Sequence, residues 1–304
     1  MARLALWWAF LTIVCPQPAA AQAWVLPART GEITFVGQEI DHVGRMFNDG
    51  SREPVGKAVN YGLDVEVDYA LTDRWSISTS LPYILSKYTD PNPQPPFLGP
   101  PPAVDACRCW HSEFADFGFT SRYNVVDIDR SFVVTPFVSS GIPSHGYDYV
   151  GEAVVGRRLK ELRFGADVGQ RLDRLIPGLR VEAGYEYTIV PRVLDVPNNR
   201  SGGAVVGSIA LPHRLTAQGI VSWQRTHGGL RFPDEVVVPD IPERLTEFHR
   251  MLRDNYLHTG AGVGFSTGSW DISASFLVTA RGSNSHDIHV FSVTTGRSFE
   301  IHKR

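Results

Sequence analysis

Residues 62–84, GLDVEVDYALTDRWSISTSLPYI, carry two runs of strict alternation around a short break. Leu63, Val65, Val67, Tyr69 and Leu71 are apolar, with Asp64, Glu66 and Asp68 between them. After Thr72-Asp73, the residues Trp75, Ile77, Thr79, Leu81 and Tyr83 alternate with Ser76, Ser78 and Ser80. Successive strand side chains point to opposite faces, so a period of two means one apolar and one polar face. Thr72-Asp73 is too short for anything but a hairpin turn, and the two runs are therefore antiparallel neighbours.

The same alternation recurs along the chain. Residues 115–125, 179–189 and 270–278 repeat it with Phe117, Phe119, Tyr185, Tyr187, Ile272 and Phe276 on the apolar side. It predicts about 12 strands, near 31–44, 57–71, 74–87, 113–126, 131–142, 159–172, 178–191, 201–211, 214–228, 255–266, 269–281 and 286–299. Most reach the roughly 9–11 residues that a tilted membrane strand needs. Short joins such as 72–73, 212–213 and 267–268 alternate with long ones at 88–112 and 229–254. That asymmetry, and an even strand count, predict an all-β, single-chain antiparallel transmembrane β-barrel with short periplasmic turns and long extracellular loops. Tyr69, Trp75, Tyr123, Trp270 and Phe299 fall near one set of strand ends, and Tyr83 and Trp223 towards the other, as interface aromatics do.

The N-terminus points to export. Arg3 precedes an apolar run, Leu4 to Cys15, which is too short to span a bilayer. Small residues follow, with cleavage sites after Ala21 or Ala23. Residues 1–23 are expected to be a cleaved signal peptide and residues 24–304 the barrel. Ile13-Val14 disfavours a lipid anchor on Cys15. Removing Arg3 leaves 28 basic residues against 32 acidic ones, which excludes a polybasic nucleic-acid partner. The compartment expected is the outer membrane of a Gram-negative cell, and the partners are its lipid, the barrel-assembly machinery through the C-terminal strand, and a small solute. Arg297 shares the Phe299 face and belongs near the interface; residues 300–304 overhang the last strand.

Residues 62–84 resemble the outer-membrane family of phenol meta-cleavage pathway transporters. That family's recurring segment runs from an apolar-acidic strand through Tyr-Gly-Leu-Thr-Asp-Arg-Trp to an alternating strand closing on Leu-Pro-Tyr. Here Ala70 replaces the glycine, and Gly141-Ile142-Pro143 stands where the family has Pro-Thr-Gly. Residues 260–275 echo the same unit. The resemblance implies a barrel associated with uptake of aromatic or other hydrophobic compounds.

If the apolar faces meet lipid, the polar faces line a lumen and form the candidate solute path. It comprises Asp64, Glu66, Asp68, Asp116, Arg122, Arg163, Arg180, Glu182, Glu186 and His258, with Glu161, Asp167, Arg171, Asp271 and Arg281 on the same side. The fifth, eighth and twelfth strands are ambiguous, because residues 132–138 and 204–209 are apolar on both faces. Mixed charge inside a barrel also suits a bracing network with a plugged lumen. In residues 242–252, Leu245, Phe248 and Leu252 fall at helical spacing and suggest an amphipathic outer gate. Residues 94–102 form a Pro-rich, stiff segment of the other long loop.

Catalytic and metal readings are weaker. Cys107-Arg108-Cys109-Trp110-His111 supplies an incomplete metal set and, in an oxidising compartment, favours a Cys107–Cys109 disulfide. No cofactor motif appears, and no His-Glu-x-x-His or phosphate loop. Ser144-His145 and Thr226-His227 are adjacent, and neighbours on a strand face opposite ways, which argues against a hydrogen-bonded dyad. The expectation is a non-enzymatic channel, with a structural or loop-binding barrel and a lipid hydrolase as the rivals.

Overall fold

The computed structural model describes residues 22–90, 103–231, 247 and 249–301. The stretch 62–84 forms β2 (Ala58–Ala70) and β3 (Trp75–Tyr88), paired in register from Ala58↔Tyr88 to Ala70↔Ser76. Their turn is held by Thr72, whose hydroxyl accepts the Trp75 N–H at 3.0 Å. Before them lies β1 (Thr30–Met46). After them come β4 in two pieces (His111–Phe114 and Asp116–Tyr123), β5 (Phe132–Pro143), β6 (Glu161–Arg171), β7 (Leu179–Ile189) and β8 (Asn198–Leu211). β9 (Leu215–Gly228), β10 (Asn255–Thr267), β11 (Trp270–Ser283) and β12 (Ser285–Glu300) complete the set.

Each strand pairs antiparallel with its sequence neighbour, and β12 returns to β1 from Thr30↔Glu300 to Met46↔Ser285. The sheet is a closed 12-strand antiparallel barrel. Closure gives every strand a partner on both sides, so no edge is left to pair with another chain. The short pieces Arg52–Glu53 and Val126–Ile128 pair locally with β1 and β5.

The barrel is apolar outside and polar inside. Val263, Tyr185 and Phe276 are 61%, 52% and 50% exposed on the outer face, while Gln38, Thr135 and Ser222 are 1%, 0% and 2% exposed within. A continuous apolar belt of this kind is unfavourable in water and suits lipid. Among the described residues, no helix is long and apolar enough to cross a membrane. Aromatics border the belt: Trp75 donates to the Ser121 hydroxyl at 2.9 Å at one end, and Tyr83 to Ser112 at 2.7 Å at the other. Arg297 lies over the Trp270 ring at 5.2 Å, which accommodates its charge on the outer face.

At one end, the turn end, the connections are short. At the other, the loop end, they are longer, and residues 144–160 fold inward. The contrast is not uniform, because Asn284 alone, at φ 50°, joins β11 to β12 at the loop end.

Candidate functional site

The lumen is built from the inner faces. Asp64, Glu66 and Asp68 of β2, Asp116 and Arg122 of β4, and Arg163 of β6 all lie inside. So do Glu182 and Glu186 of β7 and His258 of β10, with Arg180 at the turn-end rim. Their strands alternate these positions with exposed outer residues such as Phe117, Phe164 and Tyr185. Arg281 departs from the sequence expectation. A bulge between Leu257 and His258 places Arg281 opposite Leu257, and it is exposed on the outer rim.

Pairing settles the strands that periodicity left open. Thr135 lies opposite Asp167, and Ala204 opposite Gly184, so Val133, Thr135 and Phe137 of β5 and Ala204 and Val206 of β8 face inward. On β12, Ile288, Val290 and Ser292 face inward, opposite His42, Ile40 and Gln38. The lumen is thus part apolar, a feature that charge-based reading of the sequence missed.

Charges in the barrel pair along and across strands. Glu161 bonds Arg163 at 2.9 Å and also Arg200, and Arg122 lies 3.7 Å from Asp68 and donates to Ser78 at 2.9 Å. Tyr147 donates to Asp116. Around Asp64, Glu66, Asp68, Asp167 and Glu182, in the half nearer the turn end, carboxylates outnumber cations.

Both mouths are occupied by the chain itself. At the loop end, residues 144–160 turn inward. Tyr147 and Val155 join Ile40, Ile84, Ala115, Ile288 and Val290 in one buried cluster. Within that insertion, Glu152 pairs with Arg45, with side chains 8% and 9% exposed. Burial pushes the Glu152 carboxyl up, but the Arg45 guanidinium, with His286 and His249 beside it, together more than offset this and hold the group at about 2. Asp105, in the short helix Ala103–Cys107, accepts the Glu152 and Ala153 N–H groups at 2.9 and 3.0 Å. Burial raises the Asp105 carboxyl, and these two backbone donors work against it.

Glu247 and residues 249–252 cap this insertion. Glu247 accepts from Tyr149 at 2.7 Å, and Arg250 and Arg158 lie on the Tyr149 ring at 4.6 and 4.3 Å. Leu245 and Phe248, two of the three expected gate residues, lie outside the described residues. Leu252 is buried and bridges Leu230. Met251, which the helical spacing did not single out, is wholly buried with Leu159, Val190 and Val193. Beside it is a pocket of about 510 Å³, lined by apolar residues such as Leu159 and Val193 together with Arg158, Lys160, Arg192, Arg250 and the carboxylate of Glu247.

At the turn end, residues 22–25 enter the lumen. Thr135 donates to the Ala23 carbonyl at 2.5 Å, Ala23 N–H to Glu182 at 3.2 Å, and Arg130 to the Val25 carbonyl at 3.0 Å.

Cys107 and Cys109 are joined in a disulfide. Two serine–histidine contacts exist. Ser144 meets His145 Nδ1 at 2.9 Å, contrary to the argument from adjacency, because the pair lies beyond the strand in a bend; His145 Nε2 is 3.7 Å from Glu113. Thr226 and His227 do face opposite ways, and His227 instead meets Ser201 at 2.6 Å across β8 and β9. Gly264-Phe265-Ser266-Thr267-Gly268 has the spacing of a nucleophile elbow. It forms a strand-to-strand hairpin rather than the strand-to-helix turn the elbow requires, and Ser266 donates to Asp271.

No protein-family model and no curated protein matches the sequence. The structure is similar to that of an outer-membrane channel from Pseudomonas putida F1, with TM-score 0.70 at 11% identity, covering 94% of this chain and 100% of that one. It is also similar to the NanC porin, with TM-score 0.50 at 9% identity over 88% of this chain and 100% of that one. At these identities the likeness concerns the fold.

Proposed function

We propose that this chain is an outer-membrane channel for small, hydrophobic or aromatic molecules, kept closed at rest by its own segments. The observation that carries the reading is a closed barrel, apolar outside, whose inner face is of mixed charge and whose two mouths are entered by segments of the chain itself. The shared fold with an outer-membrane channel supports it. The loop-end pocket, lined by apolar side chains and by charged ones that include the Arg250–Glu247 pair, suits first capture of a solute with an apolar body. Leu252, the one expected gate residue among the described residues, belongs to the outer gate of this reading, and the acidic and basic lumen residues line the path beyond. Lipid surrounds the belt, and the C-terminal strand, with Phe299 on its outer face, is the segment an assembly machinery would read.

Planar-bilayer recording tests this directly. The intact protein should give small, flickering conductance, and deletion of residues 242–252 should raise it while weakening uptake of aromatic solutes by vesicles. Unchanged conductance and uptake after deletion would count against the gate. A protein that never conducts, even without 144–160, would be a bracing barrel instead. Purified protein should show no release of fatty acid from phospholipid vesicles. Release abolished by Ser201→Ala or Ser144→Ala would make it a hydrolase.

Orientation follows from the same reading. Turns belong in the periplasm, so a cysteine replacing Leu194 at the loop end should react with an impermeant maleimide on intact cells. One replacing Thr72 should not react until the outer membrane is breached, and the reverse pattern would invert the barrel.

A further inference from the structure

The segment in the turn-end mouth begins at a site where export would cut the chain. The backbone nitrogen of Gln22 hydrogen-bonds the Asp167 carboxylate, and the Gln22 side chain bonds Asp68. Ala23 follows, fixed between Glu182 and Thr135. Gly169 makes room for it: a Cβ there would sit 2.7 Å from both the Ala23 methyl and the Trp24 ring. Asp167 is 2% exposed, and its second carboxylate oxygen is buried without a hydrogen-bond partner among the described residues. The cation acting on it from the wall is Arg122, which is shared with Asp68 at 3.7 Å, and a neutral amide adds little, since a buried carboxylate is costly unless cations compensate it.

We propose that leader removal occurs after Ala21 and that the new α-ammonium of Gln22 is a second cation for this acid-rich cluster, locking residues 22–25 into the lumen as an inner stopper. This rests on the expectation that residues 1–21 are a cleaved leader. In the step, a leader peptidase adds one water across the Ala21–Gln22 peptide bond. Ala21 leaves as a carboxylate, and Gln22 retains the nitrogen as an ammonium already placed against Asp167. The alternative cut, after Ala23, would discard Gln22 together with both Ala23 groups that Glu182 and Thr135 hold. The geometry therefore separates two sites that the sequence leaves equivalent.

The test uses full-length chain expressed with its own leader and purified from membranes. Intact mass should equal residues 22–304 with a free amine. A chain starting at Trp24, an unprocessed chain, or a Gln22 cyclised with loss of ammonia would each overturn the proposal. Amine acylation near neutral pH, read by peptide mapping, supplies the second arm. The Gln22 amine should be protected in the folded barrel and reactive once unfolded. Asp167→Asn should speed its labelling about tenfold, the scale of one charge-assisted hydrogen bond. If that variant fails to fold, Gly169→Ala displaces Ala23 and should do the same. Equal labelling of folded and unfolded protein would overturn the stopper. Neither arm depends on conductance, so failure here is distinct from failure of the channel reading.

Discussion

Replacing Arg45 by methionine should destabilise the folded barrel by about 3–5 kcal/mol, the usual cost of stranding one member of a buried ion pair. Glu152 is the group stranded. Its side chain is almost wholly covered, and one of its carboxylate oxygens is buried without a hydrogen bond. Arg45 ends β1, whereas Glu152 belongs to the inserted loop, so the pair joins wall to stopper. Urea unfolding from lipid vesicles should show the loss, and bilayer recordings should show larger openings as residues 144–160 leave the lumen. The double variant Arg45→Met, Glu152→Leu should recover most of the stability, because it leaves no orphaned charge. A single variant within 1 kcal/mol of the parent would mean that the pair contributes no more than a surface ion pair. Acid should act on the same contact. The Glu152 carboxyl is held at about 2 against an ordinary 4.5. A depressed carboxylate adds stability that is fully present above its unfolded value and is lost as pH falls towards its folded one. This contribution to docking should thus be unchanged from neutral pH down to about 4.5 and fade between there and about 2, read as rising conductance.

Val65→Arg should cost about 2–4 kcal/mol, the penalty for a cation near the middle of the lipid-facing belt. Val65 lies on the outer face of β2 between Phe35 and Leu81, four residues from Tyr61 on one side and from the interface residue Tyr69 on the other. Val67→Arg, one step closer to Tyr69, should cost less, because the arginine can reach the interface. Glu182→Gln should be nearly neutral. It removes a carboxylate from an acid-rich part of the lumen and keeps an oxygen for the Ala23 N–H. Refolding into vesicles and denaturant titration rank the three. A silent Val65→Arg beside an unfolded Glu182→Gln would show that the faces are assigned the wrong way round.

Which strands form, roughly where they end, and which faces meet lipid were legible along β2, β3, β4, β7 and β11. There the alternation is a property of the backbone: consecutive side chains leave opposite faces, so a local run of letters records its surroundings. The hairpin at Thr72 and the barrel class follow from the same local information. On β5 and β8 both faces are apolar, and only hydrogen-bonded register, Thr135 against Asp167 and Ala204 against Gly184, turns one face inward. Arg281 was misplaced because a one-residue bulge reverses the parity that alternation assumes. Ser144 and His145 were misjudged because they lie past the strand end, where the two-residue period no longer holds. Tertiary structure alone decided what closes the lumen. Glu152 meets Arg45 across 107 residues, and Ala23 meets Glu182 across 159. No period or spacing encodes such contacts, since they depend on the closed barrel bringing distant, compensating groups into one low-dielectric space.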